Sequence, residues 1–354
     1  MIFEGNSDLV QVPLELVKLK DPMMAANYFT PVYLKLLKNG GLSLRVVEAY
    51  KILSACTLCP RQCKVNRLKG EKGFCESGNQ LVIAHYGPHF GEEPPLTGSH
   101  GAGTIFFTYC NLRCSFCQNY QISHQGIGYP VTEEKLAEIM LYLQSVGCHN
   151  IDLVTPSHFL PFILKAIFIA ATQGLKIPLV YNSGGYESLN TLKLLDGIID
   201  IYLPDWKYAD KKLAQEYSKA SDYPQVCELA IKEMLRQTGN LLVDSNGIAQ
   251  RGLIIRHLVL PYHRQNSKMV LYQIAKKFSP LTRISLMSQY APKFKAKDHP
   301  LINRPLWQEE YHEVVELVEN LGFEEYWVQE IESQQIFFPD FKSHNPFSSS
   351  SSLE

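Results

Sequence analysis

Seven of the nine cysteines in this 354-residue chain fall between Cys56 and Cys117, in two groups whose spacing suits metal chemistry. Cys110, Cys114 and Cys117 form a C-x3-C-x2-C triad. Thiolates this close in sequence cannot all lie in one regular element, so they belong to a loop wrapped around something small. Three thiolates bind three irons of a [4Fe–4S] cube and leave the fourth iron without a protein ligand. An open position on a metal is where substrate or cofactor chemistry takes place. A zinc knuckle completed by His124 is the rival reading; three unrelated structural thiols within eight residues is the weakest.

Cys56, Cys59, Cys63 and Cys75 place four more thiolates within twenty residues, and Pro60, Gly70 and Gly73 supply the bends that let the chain close on a metal. Four thiolates fill every position of a zinc site, or hold a second iron–sulfur cluster with no vacant iron. Spacing leaves both open, and either is a closed structural or electron-relay site. Arg61, Lys64, Arg67, Lys69 and Lys72 stand around this quartet against a lone Glu71. That run reads as a solvated loop, as a docking face for an acidic electron donor such as flavodoxin or ferredoxin, or as a nucleic-acid surface. Phe74 is the single aromatic interleaved there, which argues against nucleic acid. Cys148 and Cys227 fall in or beside expected helices and read as packing residues.

These groups need a scaffold. An apolar rhythm through Tyr33, Leu36 and Leu37, broken at Asn39-Gly40-Gly41 and resumed at Leu42, Val46, Val47, Tyr50 and Leu53, predicts helices over the first fifty residues. Residues 54–100 have little periodicity and read as a loop region needing a staple. From Thr104 onward short apolar runs (104–109, 150–155, 177–182, 199–204, 253–260, 283–288, 325–330) alternate with helical patterns near 132, 159–173, 187–196, 223–237, 267–279 and 307–320. Such alternation predicts an α/β fold with a parallel sheet and crossover helices, and six or seven units suit a partial β/α barrel. A doubly wound open sheet is the competing architecture; in both, ligands gather at the C-terminal ends of the strands. The organisation expected is a helical extension (1–53), a cysteine-rich metal-binding segment (54–100), a barrel (101–345) and a disordered Ser-rich tail (346–354).

The triad directly follows the first of these runs, and Phe116 precedes its last cysteine. Together these features resemble the radical S-adenosyl-L-methionine (SAM) superfamily. The likeness runs over about residues 54–345 through CTLCPRQCKVNRLKGEKGFC, TIFFTYCNLRCSFCQNYQIS, VTPSHFLP, VYNSGGYE, DIYLPDWKY, IRHLVLP, ISLMSQYAP and FPDF with NPF. It is most similar to the PflX-like branch of pyruvate formate-lyase-activating-enzyme homologues. The resemblance implies a partial (β/α)6-type barrel in which Cys110, Cys114 and Cys117 hold a [4Fe–4S] cluster whose open iron chelates SAM. It further implies reductive cleavage of SAM to a 5′-deoxyadenosyl radical that abstracts hydrogen, with a protein glycine as one expected target and another peptide or a small molecule as others.

Activases of that group carry an Asp-x-Lys motif after the fourth strand, matched by Asp205-Trp206-Lys207, which implies a role in seating SAM. Asn182-Ser183-Gly184-Gly185 occupies the place of their short polar turn. Their Gly-Gly-Glu after the second strand is absent; Thr155-Pro156-Ser157-His158 stands instead, making Thr155 and Ser157 the replacement candidates and His158 a capping or core histidine. Of the neighbours Arg256 and His257, strand alternation sends only one inward, and Arg256 is the expected one. Gln289 and Tyr290 are candidates for the cavity wall, Tyr290 reading more readily as a buried tyrosine with its hydroxyl satisfied.

Composition narrows the class. A hydrophobic fraction of 45% and a charged fraction of 19% describe a globular chain, and a net charge of −1 creates no global field toward nucleic acid or lipid. The most apolar stretch, 159–172, is interrupted by Lys165 and is shorter than the roughly 20 residues of a membrane span. The N-terminus lacks the pattern of a secretory signal, so a cytoplasmic location is expected, where clustered cysteines serve metals more often than disulfides. Two other classes compete with the radical SAM reading: an iron–sulfur electron carrier or scaffold without turnover, and a zinc-stapled nucleic-acid-binding protein.

Overall fold

The computed structural model describes residues 29–336 and 338–347. The expected helical content before residue 29 and most of the Ser-rich tail lie outside the described residues. The strands are β1 (Leu81–His89), β2 (Ala102–Phe107), β3 (Tyr129–Val131), β4 (Ile151–Val154), β5 (Leu179–Ser183), β6 (Ile201–Pro204), β7 (Leu242–Val243), β8 (Ala249–Leu258), β9 (Arg283–Met287) and β10 (Tyr326–Val328). They form one sheet in the order β10-β9-β8-β6-β5-β4-β2-β1-β3, with β7 paired to β8. From β2 to β10 the neighbours on this path are parallel. This is the mostly parallel α/β sheet expected, consistent with a partial barrel.

Every residue of β2, β4, β5 and β6 is buried, as a parallel sheet covered on both faces requires. Thr132 opens the helix Glu133–Ser145 by accepting from Lys135 N at 3.1 Å, with Glu133 and Glu134 at its positive end. The almost wholly apolar helix Leu160–Thr172 packs between Glu133–Ser145 and Gly41–Ile52, which explains why it has no polar face. No described helix is long and apolar enough to cross a membrane.

Three strands escaped the periodicity reading. Leu81–His89, expected as loop, is a nine-residue strand antiparallel to β2, with a register shift between Ile83 and His85. Its Gly87-Pro88 pair and broken alternation hide it, because pairing with a distant strand, not local pattern, makes it extended. The short β3 and β7 are antiparallel additions of the same kind. The cysteine-rich segment is thereby joined to the sheet through β1.

The N-terminal arm is tied down by one buried carboxylate. Asp200 accepts from Val32 N at 2.9 Å and from Leu179 N at 3.0 Å. Asp200→Ala strands both donors in the interior and is expected to cost about 2–4 kcal/mol, read as a lower midpoint in urea unfolding.

Candidate active site

β2 ends at Phe107, and Tyr109 (φ 73°) and Arg113 (φ 50°) adopt left-handed backbone that folds the following residues into a tight loop. That loop carries the triad. Its sulfurs all receive hydrogen bonds: Cys110 Sγ from Leu112 N (3.4 Å), Cys114 Sγ from Ser218 Oγ (3.0 Å) and Cys117 Sγ from Ser123 Oγ (3.2 Å). Ser218 ends the helix Lys211–Ser218, which Asp210 caps, and its hydroxyl also meets the Tyr208 hydroxyl at 2.7 Å. Burial first, then the neighbouring Cys114, pushes the thiols of Cys110 and Cys117 up to about 11 and about 12. Phe116 is buried against Tyr208, Tyr217 and Tyr290.

Cys114 and Cys117 border a cavity of about 650 Å³ at the C-terminal ends of the strands, and Asp205, Lys207, Asn182, Arg256 and Gln289 line it too. Lys207 Nζ pairs with Asp205 Oδ2 at 2.5 Å, while Arg256 Nε holds the other oxygen at 2.9 Å. Burial opposes ionisation of Asp205, but Lys207 and Arg256 outweigh it and hold the carboxyl below its usual range. For Lys207 burial acts against the charge, and Asp205, then Cys114, reverse the balance and raise it. The Tyr223 hydroxyl lies 2.8 Å from Asp205 O and accepts from Lys207 N at 2.9 Å. Gly185 (φ 74°) lets the polar turn run beneath this segment; a Cβ there would stand 2.1 Å from Asp205 O.

The turn itself divides. Asn182 accepts from Arg256 and donates to Asp152 Oδ2 at 3.2 Å. The Ser183 hydroxyl accepts from Gly185 N within the turn, and Ser183 is not among the cavity-lining residues. Thr155 adopts φ 60° beside Asn182, its N–H donating to Asn182 O at 2.8 Å, and it does not line the cavity either. Ser157 departs from expectation. Its hydroxyl donates to Glu187 Oε1 at 2.6 Å in a buried network with Tyr181, away from the cavity. His158 is a core histidine bonded to Thr108 O at 2.7 Å, and burial pulls its pKa down to about 3. His257 faces away from Arg256 and bonds Trp206 O at 2.6 Å. Tyr290 is buried with its hydroxyl on Ile302 O, and Cys148 and Cys227 are buried.

Sequence reasoning missed the carboxylates beneath Arg256. Glu92 lies 3.3 Å from Arg256 Nη1, and Glu93 and Asp152 complete the group. Burial raises all three, against the pull of Arg256. An acid inside the apolar run NIDLVT was the available signal, since a charge is rarely placed in a buried strand without a partner. Also missed was the cover of the cavity. Gln121 donates to Asp340 Oδ1 and accepts from Phe341 N, both at 2.8 Å, pinning the C-terminal segment over Phe106.

The quartet lies against the same loop. Cys56, Cys59, Cys63 and Cys75 line a single small void together with Arg61, Arg67 and His158. Arg61 donates to Asn111 O at 3.1 Å and stacks on Phe74, and Arg113 donates to Phe74 O at 3.2 Å. The basic run is therefore weaker as a surface than its sequence suggests: Arg61 is committed to these contacts and Arg67 is buried, leaving Lys64, Lys69 and Lys72 exposed. Among the described residues no group of three or more His, Cys, Asp and Glu side chains is drawn together around a single ion.

Residues 104–238 match the family model of the radical SAM superfamily. The chain carries a radical SAM superfamily domain. It is 31% identical over 300 residues to the uncharacterized protein MJ0674 of Methanocaldococcus jannaschii, covering 82% of each chain. To the uncharacterized protein MJ0808 of the same organism it is 25% identical over 289 residues, 76% of this chain and 78% of the other. Among solved structures, Streptococcus suis SuiB bound to precursor peptide SuiA is similar with a TM-score of 0.44 and 11% identity, covering 69% of this chain and 53% of that one. Methylornithine synthase (PylB) is similar with a TM-score of 0.41 and 13% identity, covering 92% and 88%. Radical SAM proteins employ a [4Fe–4S] cluster and SAM, and the residues present fit both. Three sulfurs that each accept a hydrogen bond suit thiolate charge, and the Asp205–Lys207 pair beside them offers an acceptor and a cation to an amino acid's two ends.

Proposed function

We propose that this radical SAM enzyme holds its cluster on Cys110, Cys114 and Cys117, seats SAM against Asp205 and Lys207, and abstracts hydrogen from a substrate at the strand mouth. The observation that carries the reading is that Cys114 and Cys117 of the triad and the Asp205–Lys207–Arg256 network border one cavity. When bound, cluster and SAM supply a one-electron cleavage of the sulfonium that yields a 5′-deoxyadenosyl radical.

The chain's own residues supply position and exclusion. Lys207 is suited to the SAM carboxylate and Asp205 to its ammonium, while Arg256 keeps Asp205 ionised from the opposite side. Asn182 keeps Arg256 in place. Phe116 braces the triad loop against three tyrosines, and the strap held by Gln121 screens the cavity from water. Resemblance to the activases makes a glycine of a partner protein the first substrate class to test. The quartet is read as a closed metal centre, and the electron donor as an acidic protein of the flavodoxin or ferredoxin kind.

Anaerobic reconstitution with iron and sulfide, followed by dithionite and SAM, is expected to release 5′-deoxyadenosine. A reconstituted, reducible protein that releases none above buffer background would be an electron carrier instead. Lys207→Met is expected to leave iron content unchanged and to weaken SAM binding by about 2–5 kcal/mol, roughly thirtyfold or more, in calorimetry.

A further inference from the structure

The quartet can be assigned more narrowly, on three observations. The first is space. Cys56, Cys59, Cys63 and Cys75 all line one void of about 10 Å³, room for a water-sized sphere among them. Thiolates gathered on zinc at about 2.3 Å leave no such room, whereas thiolates that each bind a different corner of an iron–sulfur cube stand back around a central space.

The second is charge. Arg67 lines this void at 1% exposure, yet its hydrogen bonds go to carbonyl oxygens, Gly78 O at 2.9 and 2.8 Å and His158 O at 2.5 Å. Among the described residues no carboxylate pairs with it. A guanidinium buried without a counter-ion is costly, and a tetrathiolate centre, negatively charged whether it holds zinc or an iron–sulfur cube, is the anion this site offers it. The charge calls for a metal-bound quartet, and space and connection decide which metal.

The third is connection. Two short routes join the quartet to the triad through one hydrogen bond each. Arg61, between Cys59 and Cys63, donates to Asn111 O next to Cys110. Arg113, next to Cys114, donates to Phe74 O next to Cys75. On the outer side Cys63 is exposed, with exposed Lys64, Lys69 and Lys72 nearby in the chain.

We propose that Cys56, Cys59, Cys63 and Cys75 hold a second [4Fe–4S] cluster that takes one electron at the Cys63 face and passes it inward to the triad. The destination of that electron rests on the radical SAM reading; the identity of the metal does not. The balance is one electron throughout. A one-electron reductant is oxidised as the quartet centre is reduced. The quartet centre returns to its oxidised state on passing the electron to the triad centre. The electron ends in the C5′–S bond of SAM, which breaks to methionine and the deoxyadenosyl radical.

Iron, sulfide and zinc analysis of the wild type and of a Cys110→Ala/Cys114→Ala/Cys117→Ala variant tests the assignment. The expected result is about eight irons per chain falling to about four in the variant, with a paramagnetic signal after dithionite that SAM does not alter. Wild-type protein with about four irons and one zinc, the iron vanishing in the variant, overturns it. Iron that is about four in both proteins keeps the quartet cluster and sinks the triad instead, so the two failures are distinguishable. Should the variant not fold, a wild-type Mössbauer spectrum counting one cluster and not two overturns the proposal equally. The relay is read in wild-type protein reduced with dithionite, freed of it by desalting, and mixed with SAM. The quartet signal, which SAM leaves unaltered in the variant, is expected to disappear here as about two 5′-deoxyadenosines form per chain, one per stored electron. A signal that persists with one equivalent formed overturns the relay.

Discussion

Cys114→Ala is expected to lose the iron bound by the triad and to bring 5′-deoxyadenosine formation down to the background of the reagents. Cys114 is buried within the loop, bonded by Ser218 and close enough to Cys110 and Cys117 to raise both of their thiols. Two remaining thiols cannot retain a cube that three were needed to hold. Ser218→Ala provides the scale. It removes only the hydroxyl that donates to Cys114 Sγ, and loss of such an outer partner costs about 10–100-fold in metal affinity or activity. Iron and sulfide content with a fixed-time product assay checks both variants. Cys114→Ala retaining full iron and turnover would mean that this residue is no ligand.

Arg256→Met is expected to give the largest loss of stability, about 3–5 kcal/mol at neutral pH. Arg256 bonds Asp205 and Asn182 and lies against Glu92, with Glu93 and Asp152 within its electrostatic reach. A thioether of similar length fills the space and leaves the carboxylates without their common cation. The sign of the pH dependence follows. Glu92, Glu93 and Asp152 already have folded-state pKa values above the ordinary carboxylate range, chiefly through burial, with Arg256 opposing. A carboxyl raised in this way favours the fold while protonated and loses that advantage as pH rises through its folded value. Without Arg256 those values climb further. The gap between variant and wild type is thus smallest at acidic pH and widens toward neutrality and above. Urea unfolding at pH 5 and pH 8 reads this directly; an equal gap at both would show that these carboxylates do not depend on Arg256.

Much of the site could be read from the chain because its chemistry is encoded at short range. The triad spans Cys110 to Cys117, and its thiols necessarily share a loop. Asp205 and Lys207 follow a strand that apolar patterning locates, and alternation along β8 separates Arg256 from His257. The parallel strands and their helices emerged for the same reason, since a periodic apolar pattern is a local property. The direction of Ser157 is not legible in the sequence, because its strand end offers two directions and the buried Glu187–Tyr181 network that captures its hydroxyl comes from elsewhere in the chain.

By its order of residues alone, this protein specifies two cysteine groups, the loop that carries each, and the strands to which the open triad is attached. Those are matters of covalent spacing and side-chain period. Folding alone decided that the two groups lie side by side, that acids from β4 and from the segment after β1 converge on Arg256, and that the last described residues close over Phe106. Each of these meetings joins residues far apart in the chain. They are held by packing and by hydrogen bonds whose partners no local pattern names, and the cost of ordering so long an intervening chain is met only by the fold as a whole.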